Sequence, residues 1–171
     1  MSQLRAYLAC ATSGLPQHAD AAPVRVAVSV VASGQYETAH WTADICPDRI
    51  DTRAARDAEE HHGIPIQTIW AGVSPWEAVQ RLSQFLLLHG QPALVTWNRA
   101  FARTMMGRTG LDYPYWTDWD VQGKVRAELQ CGKPPTMEFA LTTRGLPPRV
   151  RGDVLRDARL TAALVGGGGG A

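Results

Sequence analysis

The stretch Tyr7-Leu8-Ala9-Cys10-Ala11-Thr12-Ser13-Gly14-Leu15 decides the fold. Arg5 to Ala11 is a short apolar run with tyrosine and leucine, closed by a Ser-Gly turn, which is the pattern of a buried strand. Side chains alternate along a strand, so Ala9 and Ala11 share one face. A strand presents two ligands to one metal site with this spacing, and here both positions are alanine.

Working outward, Val24 to Ala32 is rich in valine and Tyr36 to Ala43 alternates, with Ser33-Gly34 placed as a hairpin turn between them. Asp51 is positioned to cap a helix over Thr52 to His61; Gly63 ends it, and Pro65 is expected to prevent a restart. Ser74-Pro75-Trp76-Glu77 is a capping box with proline at the first helical position. Trp76, Val79, Leu82, Phe85 and Leu86 then recur at helical spacing until Gly90. Ala93 to Trp97 reads as a strand, and Asn98 caps a helix running through Met105 to Gly110. Asp112 to Asp120 is an aromatic loop that could cover the core, stack bases or contact a protein. Helices are expected over Val121 to Gln130, around Met137 to Leu141, and over Asp153 to Val165, the last with Leu155, Leu160 and Leu164 inward. Strands that come first and then alternate with helices define an α/β layer architecture.

The 171 residues suit one domain, taken as residues 1–165, followed by a Gly-rich tail from Gly166 to Ala171. With 17 Lys+Arg against 16 Asp+Glu, the net charge of +1 carries no bulk argument for nucleic acid. The basic residues are nearly all arginine, whose planar fork suits phosphate, although a GC-rich genome explains the same bias. Cys10, Cys46 and Cys131 are too widely spaced for a metal knuckle or a disulfide framework. No membrane segment or signal peptide is evident, so a cytoplasmic setting is expected.

Three segments in order carry a resemblance. They are the first strand with Thr12-Ser13-Gly14-Leu15, the run Trp97-Asn98-Arg99-Ala100-Phe101-Ala102, and the run Gly152-Asp153-Val154-Leu155-Arg156-Asp157-Ala158. Together with His62-Gly63-Ile64 and the Ser74-Pro75 helix start, this arrangement resembles the DnaQ-like 3′→5′ exonucleases of the DEDD type, in the ribonuclease H-like superfamily. The resemblance covers nearly the whole chain. It implies a five-stranded mixed β-sheet flanked by α-helices.

The resemblance also implies which chemistry is missing. Active relatives carry acids at the positions of Ala9, Ala11 and Ala102, and a histidine or tyrosine base at that of Gly152. Asp157 is the sole surviving acid. Two-metal phosphodiester cleavage needs two ions about 3.5–4 Å apart, and one carboxylate cannot hold them. No cofactor is therefore expected; magnesium or manganese would enter only if the site were rebuilt, and Asp157 would be a weak ligand. Asp153 is expected to cap the last helix, and Asp112, Asp118 and Asp120 to be solvated, so none restores the set. Three alanines with Gly152 exceed what a substrate trap needs, which favours natural loss over deliberate inactivation.

Binding residues follow from the same resemblance. Thr12 through its backbone, Ser13, Gly14, Leu15 as a wedge between bases, His62, Asn98 and Phe101 would line a nucleic-acid groove. Each has a plain alternative: Leu15 and Phe101 pack, Asn98 caps its helix, and His62 lies in a structural turn. The leading expectation is an inactive exonuclease-like protein that binds single-stranded DNA or RNA or its 3′ end, as an accessory factor in replication or repair. The alternatives are a protein-interaction module on the same scaffold and an active exonuclease carried as an inactivated variant. A protein partner and a homodimer are both compatible with the resemblance.

Overall fold

The computed structural model describes residues 4–15, 17–32, 36–48 and 50–166. Three strands open the chain: β1 (Arg5–Thr12), β2 (Pro23–Val31) and β3 (Glu37–Asp44). Helices α1 (Thr52–His62), α2 (Ile66–Trp70) and α3 (Pro75–Leu88) precede strand β4 (Ala93–Thr96). Four helices finish it: α4 (Arg99–Arg108), α5 (Val121–Glu128), α6 (Met137–Thr143) and α7 (Val154–Gly166). The Ser33-Gly34 turn and the tail beyond Gly166 lie outside the described residues.

The sheet order is β3-β2-β1-β4, antiparallel except for the parallel β1–β4 pair. It is a mixed sheet of four strands, not the five expected. The fifth is reduced to one parallel bridge between Leu94 and Trp116, made by Leu94 N–H donating to Tyr115 O and Thr117 N–H donating to Leu94 O. Pro114 offers no N–H on one side of that bridge, and the Thr117 hydroxyl turns back onto Trp119 O on the other. The loop's aromatics mostly cover the core. Tyr113 is buried and donates to Pro92 O, Trp116 packs on the main cluster, and the Lys124 ammonium sits 3.7 Å over the Trp119 ring.

Period-two alternation divides β1 between two layers. Ala6 and Leu8 enter a cluster with Leu82 and Leu86 of α3 and Met106 of α4. Tyr7 packs with α5, α6 and α7 through Val125, Leu141 and Leu160, while Ala11 packs with Ala58 of α1, Ile64 and Val154. At the C-terminal end of β1 the partner of Thr12 is Pro23 instead of Val24, a bulge that bends the strand away.

Helix ends follow the expected chemistry. Asp51, Ser74, Asn98 and Thr136 each accept a backbone N–H in the first turn of their helices. Gly63 ends α1 in the left-handed region at φ 68°. Two expectations fail. Pro65 does not block a restart; it serves as the N-cap of α2, a place where its missing N–H costs nothing. Trp76 is not a core position but 70% exposed, and α3 buries Ala78, Leu82 and Leu86 instead.

Candidate functional site: an arginine-filled cleft

The end of β1, the C-terminus of α1, the first turns of α6 and α7, and the loop before α7 meet around a cavity of about 330 Å3. Ala11 and Cys10 form its strand wall, His61 and His62 come from α1, Glu138 from α6, and Asp157 from α7. Arg149, Arg151 and Gly152 come from the loop.

That loop is tied at nearly every residue. The Arg156 side chain donates to Pro148 O, Asp153 N–H to Val150 O, the Arg151 guanidinium to Glu59 O, and the Arg25 guanidinium to Gly152 O. The ties aim Arg149 into the cleft. Its Nε donates to Asp157 Oδ1 at 2.9 Å and its Nη2 to Asp157 Oδ2 at 2.6 Å, a two-pronged pair. Its Nη1 donates to Glu138 Oε1 at 2.9 Å. One guanidinium thus bridges two carboxylates and takes both oxygens of Asp157. The Asp157 pair and then Glu138 raise the Arg149 pKa further. Glu138 is held below the ordinary carboxylate range by its own backbone N–H, with Arg149 adding to the effect.

Gly152, where the resemblance implies a base, is committed to a turn. Its φ is +84°, and a Cβ there would stand 3.3 Å from both Gly63 O and His62 O. A histidine would meet a strained backbone and two carbonyls at once.

His62 stands across the cavity. Its Nε2 accepts the Thr12 N–H at 3.4 Å, which places its ring proton on Nδ1. Burial, then His61, push its pKa below the usual 6.5. Cys10 is pushed up to about 12 by burial, so it presents a thiol and not a thiolate.

The remaining expected site residues separate into two groups. Asp157, His62, Ala11 and Gly152 line the cavity, and Thr12 is tied to it through His62. Ala9 packs beside Ala11 in the same cluster, while Ala102 is 4% exposed in the cluster beneath α3 and α4, and neither lines the cavity. Ser13 is stapled to Ala22 by backbone and side chain, and Thr12 Oγ1 donates to Gly14 O. Leu15 projects from that loop, 55% exposed. Asn98 spends its carbonyl on the Phe101 N–H and its amide on Gln122, and Phe101 is half-buried. Asp120 and Asp153 cap helices, with Asp120 also accepting the Arg99 N–H.

Neither Glu138 nor Arg149 belongs to a motif in the sequence. The available signal was weak: an acid in the first turn after the cap Thr136, and an arginine aimed by Pro147-Pro148. Other arginines also serve the structure. Arg159 grips Glu37 with two bonds, Arg99 donates to Thr117 O, and Arg108 donates to His18 O and Ala21 O.

This is the ribonuclease H-like exonuclease fold, and its structural neighbours are DnaQ-like 3′→5′ exonucleases. The nuclease domain of 3′hExo, a DEDDh family member bound to rAMP, matches with a TM-score of 0.75 at 12% identity, over 96% of this chain and 90% of that one. Exonuclease I of E. coli in complex with a dT13 oligonucleotide matches with 0.74 at 14% identity, over 96% of this chain and 40% of that one. Cell-death related nuclease 4 matches with 0.73 at 12% identity, over 95% and 62%. The chain therefore covers most of the 3′hExo domain but less than two thirds of the longer neighbours. No protein-family model and no curated protein matches it.

Proposed function

We propose that the chain is a catalytically inactive exonuclease-fold protein that binds single-stranded nucleic acid or its 3′ end. The carrying observation is Arg149, which occupies both oxygens of Asp157 and one of Glu138. Magnesium takes hard oxygen ligands and needs two or more carboxylates to form a two-ion clamp. The residues present do not fit it: Ala9, Ala11 and Ala102 offer no oxygen, and the one retained acid already has a cation. His62 is not free as a base either, because its one acceptor nitrogen already takes the Thr12 N–H.

Binding is supported by the fold and by the exposed Leu15 on a loop fixed to the end of β1. The neighbours include enzymes captured with a single-stranded oligonucleotide and with a histone mRNA stem-loop. A fluorescence-anisotropy titration with short single strands of DNA and RNA tests the reading. Binding that weakens with salt supports phosphate contacts along the groove. Absence of binding at low salt removes the proposal.

A protein-interaction role is the second reading. It is favoured by the outer side of α3, where Trp76, Leu87 and Leu88 are 70%, 62% and 82% exposed. It takes the lead if no strand binds.

A further inference from the structure

In place of metal chemistry the cleft holds a charge-compensated void. Four charged side chains line it, Arg149 and Arg151 against Glu138 and Asp157, and they cancel. Arg25, behind Gly152, is matched by Asp44 at 2.5 Å, while Asp153 caps α7 through the Arg156 backbone N–H and the Arg156 guanidinium is held on Pro148 O. The rest of the lining is small or uncharged: Cys10, Ala11, Pro148, Val150, Gly152 and Val154, beside the two imidazoles. A phosphate entering here would lose its hydration and face two carboxylates without a surplus cation.

A flat uncharged ring meets different terms. Guanidinium planes and imidazoles stack nucleobases. Arg149 is held in one orientation by three hydrogen bonds, so its plane is fixed before a ligand arrives. The carboxylate edges of Glu138 and Asp157 and the spare N–H groups of Arg149 supply acceptors and donors at the rim of that plane. At 330 Å3 the void is at the lower end of the roughly 300–1,000 Å3 span of small-molecule sites.

We propose that this cavity is a metal-free receptor for an uncharged nucleobase or nucleoside, and that it discriminates against a phosphate. The inference rests on the reading that the cleft faces nucleic acid, and it names what enters the cavity itself. Phosphates of a longer strand would then run outside, along the loop carrying Leu15.

The test is a calorimetric or NMR titration of the whole protein, in EDTA, with adenosine, guanosine, cytidine and uridine and with their 5′-monophosphates. At least one nucleoside is expected to bind, with its monophosphate about tenfold weaker or more. Added magnesium should change neither. Arg149→Lys keeps the charge and loses the plane, so it should weaken the nucleoside at least about tenfold. Equal or tighter binding of the monophosphate overturns the inference, as does the absence of nucleoside binding at millimolar concentration. Strand binding without nucleoside binding leaves the broader function standing and removes this one; nucleoside binding without strand binding does the reverse. If Arg149→Lys fails to fold, the wild-type preference decides.

Discussion

On the β1 side of the cleft the positions where the resemblance implies acids are apolar and packed; on the α7 side Asp157 is present but paired. Ala11 is 2% exposed among Val24, Ala27, Ile64 and Val154. Asp157 keeps its carboxylate, bonded by both oxygens to Arg149. A site can thus lack free metal ligands in two physically distinct ways, by absence of the groups or by internal neutralisation. The distinction has consequences. The first side is packed among small apolar side chains, while the second depends on a partner and suffers when that partner is removed.

The largest effect belongs to the packed side. Ala11→Glu crowds a carboxylate into an apolar cluster at the wall of a cavity whose Arg149 is already paired, and should cost about 3 kcal/mol in a denaturant titration. Retention of full stability would mean that the β1 side is still open to an acid. Asp157→Ala leaves Arg149 facing only Glu138. The Arg149 side chain is 40% exposed, so solvent screens the loss, and about 2 kcal/mol is expected. A neutral outcome there would make Arg149 a bystander and collapse the contrast between the two sides.

Gly152→His tests whether position 152 can accept the base that the resemblance implies. The left-handed backbone and the two carbonyls at 3.3 Å should cost about 1–3 kcal/mol, read as a lowered Tm. The smallest effect is a pH dependence. The native site disfavours protonation of His62, so its contribution is full above 6.5 and declines as pH falls below that, where the unfolded chain takes up the proton first. His62→Gln should flatten the Tm profile in that window. Glu37, lowered to about 2 chiefly by Arg159, acts in a separate range. Its contribution is present above the ordinary 4.5 and lost as pH falls toward 2, so Glu37→Gln should leave the His62 window unchanged.

Much of this molecule was legible in the sequence because local chemistry specified it. Asp51, Ser74 and Asn98 announced their helices, and Gly63 ended α1 where the backbone turns left-handed. Strands that come first and then alternate with helices announced the α/β layers. The fifth strand was not legible, since its loss depends on how Pro114 and the Thr117 turn limit pairing to one bridge. Trp76 matched helical spacing, yet its exposure depends on how α3 is rotated over the sheet. The cleft was read as short of acids, and the alanines said as much. That Glu138 and Arg149 meet Asp157 could not be read, because the contacts join α6, a loop and α7 without any periodic pattern linking them.

The central proposal is that the cleft performs no metal-dependent cleavage, because positions 9, 11 and 102 offer no carboxylate and Asp157 is paired with Arg149. The direct measurement is release of terminal nucleotides from labelled single-stranded DNA and RNA in magnesium and in manganese, for the wild type and for Arg149→Ala. The account predicts no turnover above a protein-free control for either, since freeing Asp157 and Glu138 still leaves alanine at positions 9, 11 and 102. Metal-dependent turnover that disappears in Asp157→Ala would contradict it.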